Sequence, residues 1–223
     1  HISEMIAELG ELGVMLLMFL AGLELHLRDL AKNTRVAALA GVFGVAVPVG
    51  MGALFGELLG MDFTQSLFLG LTLGATSVSI SAQVLIELKL IRSRVGLSLL
   101  GAAIFDDVLV ILLLSSFVAF LSSSGGASSI IVVFGKMLLF FGLSVGFGLW
   151  VLPRITKFVH KLPVSQGVTT MAIVVLLFYG LAAELVGGMA AITGAFLAGL
   201  MFGRTPEKSL IEGNLHSISY AFF

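Results

Sequence analysis

The stretch Val95–Leu121, VGLSLLGAAIFDDVLVILLLSSFVAFL, limits what this chain can fold into more than any other. It is long enough to cross a bilayer, which takes about 20 mostly apolar residues. Its only charged residues, Asp106 and Asp107, sit near its middle. On a lone helix each would cost about 2.5–3.5 kcal/mol at the bilayer centre. A chain that keeps both there has to set them against a wet cavity, a cation or a basic group.

Composition agrees with that setting. The chain has 223 residues, 58% hydrophobic and 11% charged, whereas a soluble domain carries about 25% charged residues. The expected class is an all-α, polytopic membrane protein embedded in lipid. A net charge of −1 gives no case for nucleic acid as a partner. With no cysteine, disulfides, thiolate catalysis and Cys-ligated metals are excluded. There is no phosphate loop, nucleophile elbow or zinc spacing, so neither an enzyme nor a resident cofactor is expected. The chain opens on His1 with no basic leader and cleavage site, and Ile218–Phe223 resembles the start of another apolar segment. We expect an internal piece of a longer protein.

Seven spans can be traced: Leu9–Leu27, Val36–Leu59, Phe63–Leu88, Val95–Leu121, Ile130–Leu152, Val168–Ala183 and Val186–Phe202, the last two joined by a tight turn containing Glu184. Basic residues follow alternate spans: Arg28, Lys32 and Arg35; Lys89, Arg92 and Arg94; Arg154, Lys157 and Lys161; Arg204 and Lys208. The intervening connections at Glu57–Asp62, Ser122–Ser129 and Glu184 contain none. By the positive-inside rule the loops at 28–35, 89–94, 154–161 and 204–208 are cytoplasmic in a cell (inner) membrane. Lys136 is the exception, about two turns into its span, and reads as a snorkelling side chain.

The middle of Phe63–Leu88, from Thr72 to Ser81, combines Gly74 with Thr72, Thr76, Ser77, Ser79 and Ser81. Hydroxyls compete for backbone hydrogen bonds and glycine is a weak helix former, so an interruption is expected within about 63–88. The plainer alternative is a continuous helix whose hydroxyls bond back to the i−4 carbonyls. Unwound backbone at membrane depth must line a cavity or be covered by protein. Its carbonyls and hydroxyls are hard oxygen ligands, suited to an alkali cation rather than a soft metal.

Adjacent residues on a helix diverge by about 100°. One of Asp106 and Asp107 can therefore face the interrupted span while the other meets a separate group. Two close carboxylates in a low-dielectric setting resist simultaneous ionisation and titrate as a coupled pair. A proton can then compete with a cation for the same oxygens, which is the simplest antiport device. A buried salt bridge with no transport role is the alternative, but no basic residue in the first four spans lies deep enough to supply it.

Small residues line these spans. Gly41, Gly44, Gly50, Gly52 and Gly56 accompany Pro48, a candidate kink, in the second span. Ala195, Gly199 and Gly203 recur every fourth residue, a face suited to another helix and one basis for expecting a homodimer.

The segments LMFLAGLEL at 17–25, GATSVSISAQVL at 74–85, GAAIFDDVL at 101–109 and ITGAFLAGL at 192–200, in this order and spacing, resemble the bacterial monovalent cation:proton antiporters of the sodium/proton exchanger superfamily. The resemblance implies an inverted-repeat transporter whose core moves against a dimerisation domain to alternate access. On that pattern 1–30 is a dimerisation-domain helix, 31–121 the first half of the core and 122–161 a linker helix. Residues 162–207 are further dimerisation-domain helices, and 208–223 opens another helix. Asp107 matches the carboxylate that binds cation or proton. Asp106 matches the first acid of the pair, which in two-aspartate members can meet a lysine on a later helix. Thr76 and Ser77 match the interrupted-helix residues beside the site. The implied cargo is Na+ or Li+ against H+, with electrogenic exchange typical of two-aspartate members. A potassium/proton exchanger or regulated potassium efflux protein of the same fold is the nearest alternative, and a non-transporting ion sensor is the alternative of another class.

Other polar residues are read more plainly. Glu24 and Glu87 lie at inner span ends near Arg28 and Lys89; Glu87 has the alternative role of shaping a cytoplasmic funnel or a pH response. Glu184 is expected to be solvated. His26, His160 and His216 are isolated and form no metal cluster. Trp150 reads as an interfacial belt anchor.

Overall fold

The computed structural model describes residues 2–25, 33–121, 127–160 and 166–219. His26, Arg28, Lys32, Lys161, the connection at 122–126 and the last residues, 220–223, lie outside the described set. The described elements are all helical. In order they are α1 (Ile2–Glu24), α2 (Thr34–Leu58), α3 (Phe63–Gly74), α4 (Val78–Glu87), α5 (Arg94–Leu121), α6 (Ala127–Gly146), α7 (Leu152–His160), α8 (Gly167–Ala182), α9 (Ala191–Phe202) and α10 (Lys208–Ser219). A π-helical turn, Phe147–Val151, joins α6 to α7, and a second, Ala183–Gly187, ends α8.

Among the described residues five segments are long and apolar enough to cross a membrane: Thr34–Leu58, Phe63–Glu87, Arg94–Leu114, Ile131–Val159 and Gly167–Gly187. The chain is a multi-pass membrane protein. α9 is apolar but shorter, at 12 residues, and α1 carries Glu4, Glu8 and Glu11 in its first half. The span expected to end at Leu152 instead continues helically to His160. The reversal expected at Glu184 falls later. Glu184 lies inside the π-helical turn, and the chain turns at Gly188, in the left-handed region with φ 63°.

Local chemistry accounts for several boundaries. Asp62 caps α3: the Gln65 N–H donates to Asp62 Oδ1 at 2.8 Å, and the Asp62 N–H donates to the Gln65 side chain at 3.4 Å. This reciprocal box satisfies two otherwise orphaned donors. Pro48 lies inside α2, which runs through it from Thr34 to Leu58.

The core sits on α1 and α9. From Met15 to Leu23 every residue of α1 is buried, and in α9 only Ile192 is partly exposed. A helix apolar all round is stable only when covered all round. The two approach backbone to backbone: a Cβ at Gly199 would strike the Phe19 carbonyl, and one at Gly22 the Phe196 carbonyl. The Ala195–Gly199–Gly203 face is thus filled by α1 of the same chain. α2 is the opposite case. Its buried stripe is only Ala37, Gly41, Val45, Gly52 and Gly56, packed on α3 and α5. α4 and α5 join the two regions, since Ala82, Leu85, Leu97 and Leu100 enter the core cluster around α1.

Candidate functional site

The helix that begins at Phe63 stops at Gly74, and another begins at Val78. Between them Ala75 (φ −76°, ψ 109°) and Ser77 (φ −93°, ψ 117°) are extended. The break is narrower than the hydroxyl-rich stretch Thr72–Ser81. Thr72 takes the plainer course, donating to the Phe68 carbonyl at 2.9 Å within α3, and the opening is confined to the three residues after Gly74.

Asp106 and Asp107 are the 13th and 14th residues of α5, roughly 20 Å from its start at 1.5 Å per residue. Asp106 is 6% exposed. The Thr76 hydroxyl, from the break, donates to its Oδ2. Its Oδ1 is buried and has no hydrogen-bond donor among the described residues. Asp107 points elsewhere: its Oδ2 accepts from the Thr193 hydroxyl of α9 at 2.5 Å. No lysine or arginine among the described residues reaches either carboxylate. The two acids are therefore held by hydroxyls from two different helices.

This arrangement divides the candidate residues. Thr76 meets Asp106, the first acid, rather than Asp107. Ser77 meets neither, its hydroxyl lying 2.8 Å from that of Ser79. Glu87 is exposed at the end of α4 and accepts from the Gln83 amide at 3.1 Å, remote in sequence from the acidic pair. Behind Asp106, Gly41 of α2 lets α5 approach: a Cβ there would lie 2.8 Å from the Ala102 carbonyl and 3.4 Å from the Asp106 nitrogen. A cleft of about 850 Å³ between α2 and α5 opens beside Arg94 and ends at Ala102, one turn before Asp106. The apolar cavity of about 590 Å³ between α6 and α8 is lined by Phe140, Phe147, Trp150 and Phe178 and touches neither acid. There the Tyr179 hydroxyl is committed to the Ser144 carbonyl at 2.7 Å.

Thr193 was not singled out as a site residue by its sequence. It is the second residue of ITGAFLAGL, and the only local hint is a hydroxyl near the head of an apolar helix. Its partner is 86 residues away, beyond the reach of any periodicity. Near the other end of α9, Lys208 sits among Arg92, Glu212 and Glu24. Burial, then the Arg92 guanidinium, pushes its ammonium below the usual lysine range, opposed by the two glutamates. This puts the connection carrying Arg92 and the one carrying Lys208 at the same end of the molecule, as the charge pattern expects.

The geometry joins a mid-helix acidic pair to a broken neighbour, and the comparisons with known proteins point the same way. The family described as "Sodium/hydrogen exchanger, transmembrane" matches residues 1–223. The chain is 37% identical over 222 residues to the probable Na(+)/H(+) antiporter GerT of Bacillus cereus, covering 99% of this chain and 58% of that protein. It is 35% identical over 221 residues to the Na(+)/H(+)-K(+) antiporter GerN of Bacillus cereus, covering 99% and 56%. It is 33% identical over 224 residues to the Na(+)/H(+) antiporter of Enterococcus hirae, covering 100% and 58%. The chain thus spans somewhat over half the length of these relatives, 56–58%. With its whole length matched by the family, this chain belongs to the transmembrane sodium/hydrogen exchangers.

Proposed function

We propose that the full-length protein exchanges a monovalent cation for protons across the cell membrane, and that Asp107 and Asp106 are where the two compete. The observation that carries this reading is the pair itself. Two adjacent carboxylates lie near the middle of α5, each held by a single hydroxyl and neither neutralised by a base among the described residues. A cation offers such carboxylates a ligand field of hard oxygens, to which Thr76 and the open backbone at Ala75–Ser77 can add. A proton offers them neutrality in a low-dielectric setting. Neither state can coexist with the other on one oxygen, so loading one ion releases the other.

The cargo is assigned to Na+ or Li+. K+ is the second candidate, because the name of the GerN relative carries both Na+ and K+. On the same reading the protein works as a homodimer by alternating access. The loops bearing Arg92 and Lys208 face the cytoplasm. Residues 31–121 form the first half of the moving core, 122–161 a linker, and 1–30 with 162–207 the dimerisation domain.

The test uses proteoliposomes holding the full-length protein and an imposed pH gradient. Addition of NaCl or LiCl should collapse the gradient, with KCl run beside them to rank the cargo. Asp107→Asn should abolish the response, since it removes the ionisable oxygen while keeping the shape. Undiminished exchange in that variant would overturn the assignment of the site.

A further inference from the structure

The two hydroxyls that hold the acidic pair differ in what they are attached to. Thr76 belongs to the break between α3 and α4, and α4 packs on α5 itself. Thr193 belongs to α9, which is fastened to α1 at Gly199 and Gly22 and to α8 at Gly194, where a Cβ would strike the Tyr179 carbonyl. Those contacts are backbone on backbone, with the helices as close as glycine allows. The contact of α5 with this group is of another kind: Leu97, Leu100, Ile104 and Val108 pack there as side chains, and such surfaces can repack. Thr193 is 4% exposed and spends its hydroxyl on Asp107 Oδ2. Water has little access to so covered a hydroxyl.

We infer that Thr193 is a latch between α9 and α5, its hydroxyl competing with the transported cation for Asp107 Oδ2, so that cation binding frees α5 from α9. The inference rests on the exchange reading above. Thr193 is a positioning residue that acts through Asp107. The hydroxyl and a cation draw on the same charge at that oxygen, so each weakens the other's hold on it. Differential affinity of the cation for the released state then drives the shift. The cost of breaking the latch appears as a weakened apparent affinity.

The experiment compares wild type, Thr193→Val, Thr193→Ala, Thr193→Ser and Asp107→Asn in the full-length protein. Exchange is read in proteoliposomes, and the rise in Tm with NaCl is read in detergent. Both hydroxyl-free variants should lower the apparent KM for Na+ by about fivefold, the factor supplied by one hydrogen bond of ordinary net strength. The Na+ concentration for half-maximal stabilisation should fall in parallel, and Thr193→Ser should keep the wild-type values. Using two hydroxyl-free variants keeps the result readable if one of them fails to fold. A raised KM in these variants would overturn the latch and make Thr193 a cation ligand. Equal impairment of the Ser variant would make the position one of packing only, and wild-type values in the Val and Ala variants would remove it from the mechanism. If wild type exchanges nothing yet is stabilised by Na+, the exchange reading falls while the half-maximal concentrations still decide the latch. If Na+ neither moves nor stabilises, both fall.

Discussion

Two helix contacts in this protein differ in kind. Where α1 meets α9, small residues bring backbone against backbone, and Gly199 lies on the Phe19 carbonyl. Where α5 meets the same group, aliphatic side chains do the packing and, among the described residues, a hydrogen bond from Thr193 to Asp107 crosses the boundary. Without a hydrophobic drive between helices in lipid, close backbone packing is what holds helices together, and small residues are its means. A side-chain contact has several low-energy arrangements, whereas a backbone contact has one. Of the acidic pair, Asp107 lies on the contact made by side chains, and Asp106 faces the break between α3 and α4.

The largest effect expected from breaking this contrast is at Gly199. Gly199→Ala sets a methyl against the Phe19 carbonyl, an obstacle that no rotamer change can clear. The expected cost is about 3 kcal/mol, the upper end for overpacking, read as a large fall in Tm or loss of the protein from the membrane. A wild-type Tm would mean that α1 and α9 are not locked as described.

A smaller effect is expected at the other contact. Thr76→Val removes the donor to Asp106, whose second oxygen is already buried without a hydrogen-bond donor among the described residues. Stranding a buried acceptor costs about 1–3 kcal/mol. Thermal denaturation should show this loss, and Na+ titration should show weaker binding, because Thr76 stands beside the proposed cation. A Thr76→Val protein as stable as wild type would remove the break from the site.

The smallest effect belongs to the neighbouring hydroxyl. Ser77→Ala loses only an exposed contact with Ser79, and the change in stability should stay within about 0.5 kcal/mol. Exchange at saturating Na+ should change less than in Thr76→Val. If the order of the two variants were reversed, the carboxylate facing the break would have to be reached through Ser77 instead.

Much of the architecture was legible because it obeys local rules. Apolar length marked the spans, and Gly74 with the hydroxyls after it marked the break, which opens only at Ala75–Ser77. The wider stretch stayed helical because Thr72 could satisfy its hydroxyl on the Phe68 carbonyl. The Ala195–Gly199–Gly203 stripe announced a close helix contact but not with which helix, and one basis for expecting a second copy turned out to be the seat of α1.

The order of residues by itself determined that this chain lives in a bilayer, that two carboxylates stand near the middle of one span, and that they point about 100° apart. Only the tertiary structure decided that Asp106 takes Thr76 and Asp107 takes Thr193. Helical periodicity sets the angle between neighbouring side chains but leaves the rotation of the helix free. That rotation is set by packing against helices distant in sequence, which is why a threonine 86 residues away could enter the site unannounced.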